Sequence, residues 1–219
     1  MTPLQFHQLD QAPEAPGIYA WYHQLVLSDA DIEVCLRDID SATSASDKEA
    51  VARRFLEKFV FSYYSETPYL VQIAGALKPT FSGPVPYVSE VSASLVTRIA
   101  NSPMRLRTLK EALTTMVPVF SSPLYIGMAQ NLRSRLRAHK RWIERLGEAR
   151  LLAEEEPSLE EPDEDSKVSH SFALEAVRIR GFSTYNLRVF IQDIAIDPDI
   201  RVDVENILNR INYPLCGRN

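Results

Sequence analysis

Two short segments, Gly17-Ile18-Tyr19 and Tyr125-Ile126-Gly127, set a tyrosine beside an isoleucine 106 positions apart, and the second leads into a stretch carrying Arg135 and His139. A phenol can donate or accept a hydrogen bond, and a guanidinium and an imidazole one helical turn apart can hold an anion between them. At about 100° per residue, Leu132, Leu136, Ile143 and Leu146 form one apolar stripe, with Arg135 and His139 on or beside it. An unpaired guanidinium is costly there, so Arg135 needs a partner. Two arrangements satisfy it: a bound phosphate, or an internal carboxylate with His139 as a hydrogen-bonded core histidine. Near the C-terminus Glu205 flanks an apolar face of Ile200, Val204, Ile207, Leu208 and Ile211. Taken alone it reads as a surface glutamate paired with Arg201 or Asn209 at helical spacing.

The elements that must position these groups are partly readable. Residues 17–22 follow Pro16 and suit a short strand, as do Leu124–Met128 and the alternating Tyr185–Ile194. Helices are expected from about Gln130 to Leu152 and from near Pro198 to before Pro214, while residues 171–180 fit either strand or helix. Between these blocks the middle of the chain reads as mostly helical. Ser46-Asp47-Lys48-Glu49 has the form of a capping box ahead of Val51, Phe55, Phe59 and Val60, and shorter helical patterns cover about 89–100 and 104–116. Residues 79–87 read as a proline-rich loop, and the acidic 153–167 stretch as a flexible one.

The chain has 219 residues, 45% of them hydrophobic and 24% charged, enough for one sizeable core or a core with a satellite lobe. Neither a secretory leader nor an apolar run of about 18 residues is present, so a cytoplasmic protein with no membrane contact is expected. Cys35 and Cys216 match no metal or redox spacing and read as structural. The net charge of -5 argues against indiscriminate coating of duplex DNA. That average conceals an asymmetry: residues 131–145 carry a balance of +5, through Arg133, Arg135, Arg137, Lys140, Arg141 and Arg145 against Glu144, whereas residues 151–165 hold eight acids and no base. The basic run is either a solvated helix face or a nucleic-acid surface.

In their order these residues resemble the GIY-YIG family of DNA endonucleases. The family's two motif tyrosines fall on Tyr19 and Tyr125, its arginine on Arg135, a histidine of some members on His139, its metal-binding glutamate on Glu205 and its late asparagine on Asn219. The most specific part is Tyr-Ile-Gly followed by Asn-Leu-Arg-Ser-Arg-Leu-Arg-Ala-His. The resemblance spans roughly residues 14–27 and 123–219. It implies an α+β fold with a small antiparallel three-stranded sheet flanked by helices, and a metal-dependent endonuclease hydrolysing phosphodiester bonds. On that reading Tyr19 is the general base, Tyr125 orients it, Arg135 holds the phosphate and lowers the phenol pKa, and Glu205 binds Mg2+ (or Mn2+). His139 assists proton transfer or braces the phosphate, and Asn219 fixes local geometry. DNA is the expected partner, met by Arg133, Arg137, Lys140 and Arg141 with Arg105 and Arg107, and a homodimer would serve an enzyme that cuts both strands.

One departure is large: residues 28–122 separate the first two motif strands, which in the family are hairpin neighbours. They form an expected helical insertion lobe within a single 1–219 domain, used either to read the target or to dock a protein partner. The strands can still pair if the insertion leaves and returns at one sheet edge. Restriction, defence against foreign DNA or DNA repair would all suit such an enzyme. Two other readings share the residues: a GIY-YIG-like DNA-binding or regulatory protein without turnover, and a scaffold whose insertion is the working part.

Overall fold

A computed structural model describes residues 2–64, 69–76, 78–85, 90–152 and 164–217. The chain is α+β and divides into two compact units, Met1–Val26 with Lys110–Asn219, and Leu27–Leu109. The lobe expected at 28–122 therefore gives up its last residues, from Lys110 onward, to the unit that holds the sheet.

That first unit is built on strands β1 (Thr2–Gln5), β2 (Gly17–His23), β5 (Tyr125–Ala129) and β6 (Leu187–Asp193), in the order β1-β6-β2-β5 and antiparallel throughout. Four strands stand where three were expected. The addition is β1, whose Pro3 is tolerated because β1 pairs on one side only. β2 pairs with both β6 and β5, which explains why Gly-Ile-Tyr-Ala-Trp-Tyr-His is almost wholly buried. Tyr19 stands opposite Gly127 and Trp21 opposite Tyr125, so the two tyrosine segments are hydrogen-bonded neighbours despite the residues between them.

Alternation along β2 sends its side chains to two faces. Ile18, Ala20 and Ile126 pack under Val204 and Leu208 of helix α7 (Pro198–Asn212). On the opposite face Tyr19 and Trp21 meet His139 of helix α5 (Leu132–Leu152) and Phe172 of helix α6 (Glu164–Ala173). α5 turns an unbroken stripe to the sheet: Leu132, Leu136, His139, Ile143, Leu146 and Ala149 are all buried. α7 departs from expectation. Ile200, Ile207 and Ile211 are exposed, because Val204 and Leu208 are the pair turned to the sheet and Arg201 is the buried residue beside them. Residues 171–180 resolve as helical, α6 running into a wide turn over Leu174–Ile179 that stops at Gly181 with φ +73°. Of the acidic 153–167 stretch, 164–167 belong to α6 and the rest lies outside the described residues.

The second unit carries helices α1 (Asp29–Ser41), α2 (Ala45–Leu56) and α3 (Ala93–Asn101), with a hairpin of β3 (Tyr69–Gly75) and β4 (Lys78–Val85). Helix α4 (Arg105–Phe120) contains the division between the units and continues through Pro118, beyond the expected end near 116. Ser44, two residues before the expected capping box, caps α2 by accepting the Asp47 N–H at 3.0 Å. The helix then widens into a turn over Glu57–Phe61. The proline-rich loop at 79–87 is a strand as far as Val85, and a two-stranded hairpin accepts Pro79 and Pro84 because both of its strands are edges.

Two glycines allow the central pairing. A Cβ on Gly17 would collide with the Gln192 carbonyl, and one on Gly127 would lie 2.6 Å from Tyr125 Cε1 and 2.7 Å from Tyr19 Oη. Gly127→Ala is expected to cost about 1–3 kcal/mol by overpacking. Gly147→Ala on α5, where the nearest atom is Val177 Cγ1 at 4.0 Å, should instead gain about 0.5–1 kcal/mol. Urea midpoints of the two variants moving together would contradict this account.

Candidate functional site

β5 is an edge strand, and the cleft beside it, of about 660 Å³, is lined by Tyr125, Ser134, Arg135, Arg141, Phe172, Glu205, Asn209 and Gly217 among others. Four features of local sequence aim these groups. Tyr125 opens β5; Asn131 starts α5 by accepting the Ser134 N–H at 2.9 Å; Asp197 caps α7 by accepting the Asp199 N–H; and Pro198 occupies the first turn of α7. Arg135 then lies one turn into α5, and Glu205 two turns into α7.

Behind Tyr125 is an aromatic cluster. The Tyr19 and Tyr125 ring centroids are 6.0 Å apart, His139 lies 5.5 Å from Tyr19 and 5.7 Å from Tyr125, and Phe172 closes the group at 5.1 Å from Tyr125. Tyr19 Oη is 2.8 Å from His139 Nε2 and also hydrogen-bonds Tyr125. His139 is fully buried, and burial, reinforced by the Arg135 charge, holds its pKa down at about 3. The ring is neutral and carries one proton. Its Nδ1 is buried with no partner among the described residues, and an orphaned N–H is the rarer defect in proteins, which assigns that proton to Nε2. Nε2–H then donates to Tyr19 Oη, leaving the Tyr19 O–H to donate to Tyr125.

Tyr19, the expected general base, stands behind Tyr125 as seen from the cleft. Tyr19 is 1% exposed and absent from the cleft wall. Burial raises its phenol well above the usual 10, with Tyr125 adding to the rise and Arg135 only partly opposing it. The tyrosine that faces the cleft is Tyr125.

Glu205 is half-buried at the opposite wall. Burial raises its carboxyl pKa, while Arg135 and a hydrogen bond donated by the Met128 N–H pull the other way. The expected surface pairing with Arg201 is replaced: Arg201 is buried and gives its N–H groups to the Ile196 carbonyl at 2.8 Å and to Gln130 Oε1 at 2.5 Å. Among the described residues no cluster of three or more His, Cys, Asp or Glu side chains could hold a metal. The donor set fits a hard cation that keeps most of its water, with one carboxylate and, one turn further along, Asn209 Oδ1, buried and without a partner among the described residues. Asn219 lies outside the described residues.

The basic run divides by face. Arg135 and Arg141 line the cleft. Arg133 donates to the Ala12 carbonyl at 2.7 Å and pairs with Glu14 at 2.5 Å, while Arg137 and Lys140 pair with Asp10 at 2.6 and 3.2 Å. Acids of the N-terminal segment, far away in sequence, therefore already meet three of the expected DNA contacts. In the other unit Arg107 pairs with Glu33 and Arg105 is exposed. Cys216 borders the cleft, but burial pushes its thiol to about 12, and Cys35 is likewise a free, buried thiol. Sequence reasoning missed Asn209 as a cleft residue, treating it only as a partner for Glu205. Its four-residue spacing from Glu205 was the available signal.

No protein-family model, curated protein or solved structure matches the chain. Among the described residues no helix is long and apolar enough to cross a membrane.

The buried histidines make stability depend on pH. Burial lowers His139 to about 3 and His23 to about 4, from an ordinary 6.5. Below pH 6.5 the unfolded chain takes up protons that the folded chain refuses, so stability falls with acid. The slope reaches about 2.5 kcal/mol per pH unit for the two groups near pH 5 and lessens toward pH 4, where the folded His23 begins to take up its own proton. Urea midpoints between pH 7 and 4.5 should show it, with His139→Gln and His23→Gln each removing about half of the slope. A flat profile in the wild type would contradict the neutral, buried state of both rings.

Proposed function

We propose that this protein is a divalent-cation-dependent phosphodiester hydrolase acting on DNA, built on a GIY-YIG-like frame of β2, β5 and β6. In that frame β1 is an added edge strand and Leu27–Leu109 is an insertion. The observation that carries the reading is the convergence of Tyr125, Arg135 and Glu205, from a strand and two helices on opposite faces of one sheet, into a single cleft.

Arg135 holds the scissile phosphate and counters its growing charge. Tyr125 stands where an attacking water would approach, and it takes that water's proton as a phenolate. The Tyr19 O–H and the Arg135 guanidinium are the two neighbours that favour this charge. Tyr19 and His139 move no proton to the cleft themselves; they fix the Tyr125 oxygen and keep water out behind it. Glu205 stands on the other wall and would hold Mg2+ or Mn2+, whose charge would help neutralise phosphate oxygens and support the leaving oxygen. Arg141 adds charge along the path of the nucleic-acid backbone.

A second reading, DNA binding without turnover, draws on the burial of Tyr19. One experiment separates the two: supercoiled and linear DNA incubated with Mg2+, with Mn2+ and with chelator, against wild type and the variants Glu205→Ala, Tyr125→Phe and Tyr19→Phe. The nuclease reading expects cation-dependent cleavage. Tyr125→Phe should lower the rate about 10²–10⁴-fold and Tyr19→Phe by less. DNA bound but never cut would establish the second reading, and equal cleavage by all variants would remove both tyrosine and glutamate roles.

A further inference from the structure

On α7 Glu205 and Asn209 are separated by one turn, a spacing that sets their side chains next to each other on one face. Both line the cleft. The Asn209 side-chain oxygen is buried and, among the described residues, accepts no hydrogen bond. Arg201, two turns earlier on the same helix face, gives its two terminal nitrogens to the Ile196 carbonyl and Gln130. A buried amide oxygen is ordinarily satisfied, and one without a described partner a single helical turn from a half-buried carboxylate is a donor suited to a cation.

We propose that Asn209 supplies a second protein oxygen, after the Glu205 carboxylate, to the divalent cation of this cleft. The inference rests on the proposed function, and it makes α7 a two-oxygen edge whose remaining positions are left to water and phosphate. A hard divalent ion takes amide carbonyl and carboxylate oxygens together, and an amide contributes a ligand without further negative charge. That choice keeps the Arg135 side of the cleft attractive to a phosphate. An amide N–H presented to the cleft would instead donate to a phosphate oxygen.

Titration of the full-length protein with Mn2+, followed by the electron paramagnetic resonance signal of the free ion and without DNA, tests this apart from any activity. Circular dichroism melts confirm folding of each variant. Wild type should bind one ion and Glu205→Ala should lose it. Asn209→Ala should weaken binding on the order of tenfold, and Asn209→Asp should bind at least as tightly as wild type. If Asn209→Ala binds Mn2+ as wild type does while Glu205→Ala does not, the role of Asn209 is overturned and the proposed function stands. If Asn209→Asp loses Mn2+ affinity and also DNA affinity, the amide serves a phosphate and the inference is again overturned. Failure of the wild type to bind Mn2+ at millimolar concentration overturns both.

Discussion

The 2.8 Å hydrogen bond from His139 Nε2 to Tyr19 Oη joins the central strand of the sheet to the long basic helix. Most of the candidate site depends on it. It fixes the rotation of α5 about its own axis, because His139 takes its place in the same stripe as Leu136 and Ile143. With α5 so rotated, Arg135, one turn earlier, reaches the cleft, while Arg133 and Arg137 turn toward Asp10 and Glu14. The bond also requires that the imidazole remain neutral, since a charged ring there would have no counter-ion and little solvent. A polar pair inside an aromatic cluster thus does what an apolar pair could not: it orients a third hydroxyl, that of Tyr125, at the boundary with water.

The two faces of the sheet divide the work. One face, through Tyr19, Tyr125 and His139, positions oxygen and excludes water; the other, through α7, brings a carboxylate and an amide to the same opening. Their meeting point is the edge of β5, where the Met128 N–H donates to Glu205. An edge strand leaves backbone groups unpaired along one side, and here one of them steadies the carboxylate. The requirement for glycine at position 127 follows from the same crowding, since Tyr19 Oη and Tyr125 Cε1 already fill the space of its Cβ.

How much of this could be read from sequence varied with the range of the interaction. Strands with continuous or alternating apolar residues and the capped helices α5 and α7 were legible, since local periodicity and Pro198 mark them. The pairing of Tyr19 with Tyr125 was legible only through resemblance, because a register across the intervening residues leaves no local trace. β1 and the β3–β4 hairpin were not legible: four residues containing a proline, and a strand with two, satisfy no periodic rule and form because an edge permits them. On α7 the single apolar face could not tell which isoleucines would remain exposed; the sheet meets only its Val204–Leu208 edge, on the side of Arg201. Burial of Tyr19 was likewise hidden, for which of two motif tyrosines faces water depends on the packing of α6, where Phe172 lies against both Trp21 and Tyr125.

If the central bond is as described, the His139 ring reports it without reference to any activity. Long-range ¹H–¹⁵N NMR of the imidazole nitrogens, recorded from pH 7 to pH 4.5, is the most direct measurement. The account predicts one tautomer throughout, with the proton on Nε2 and Nδ1 bare, and no titration over that range. A ring that protonates near the ordinary 6.5, or one that carries its proton on Nδ1, would contradict it.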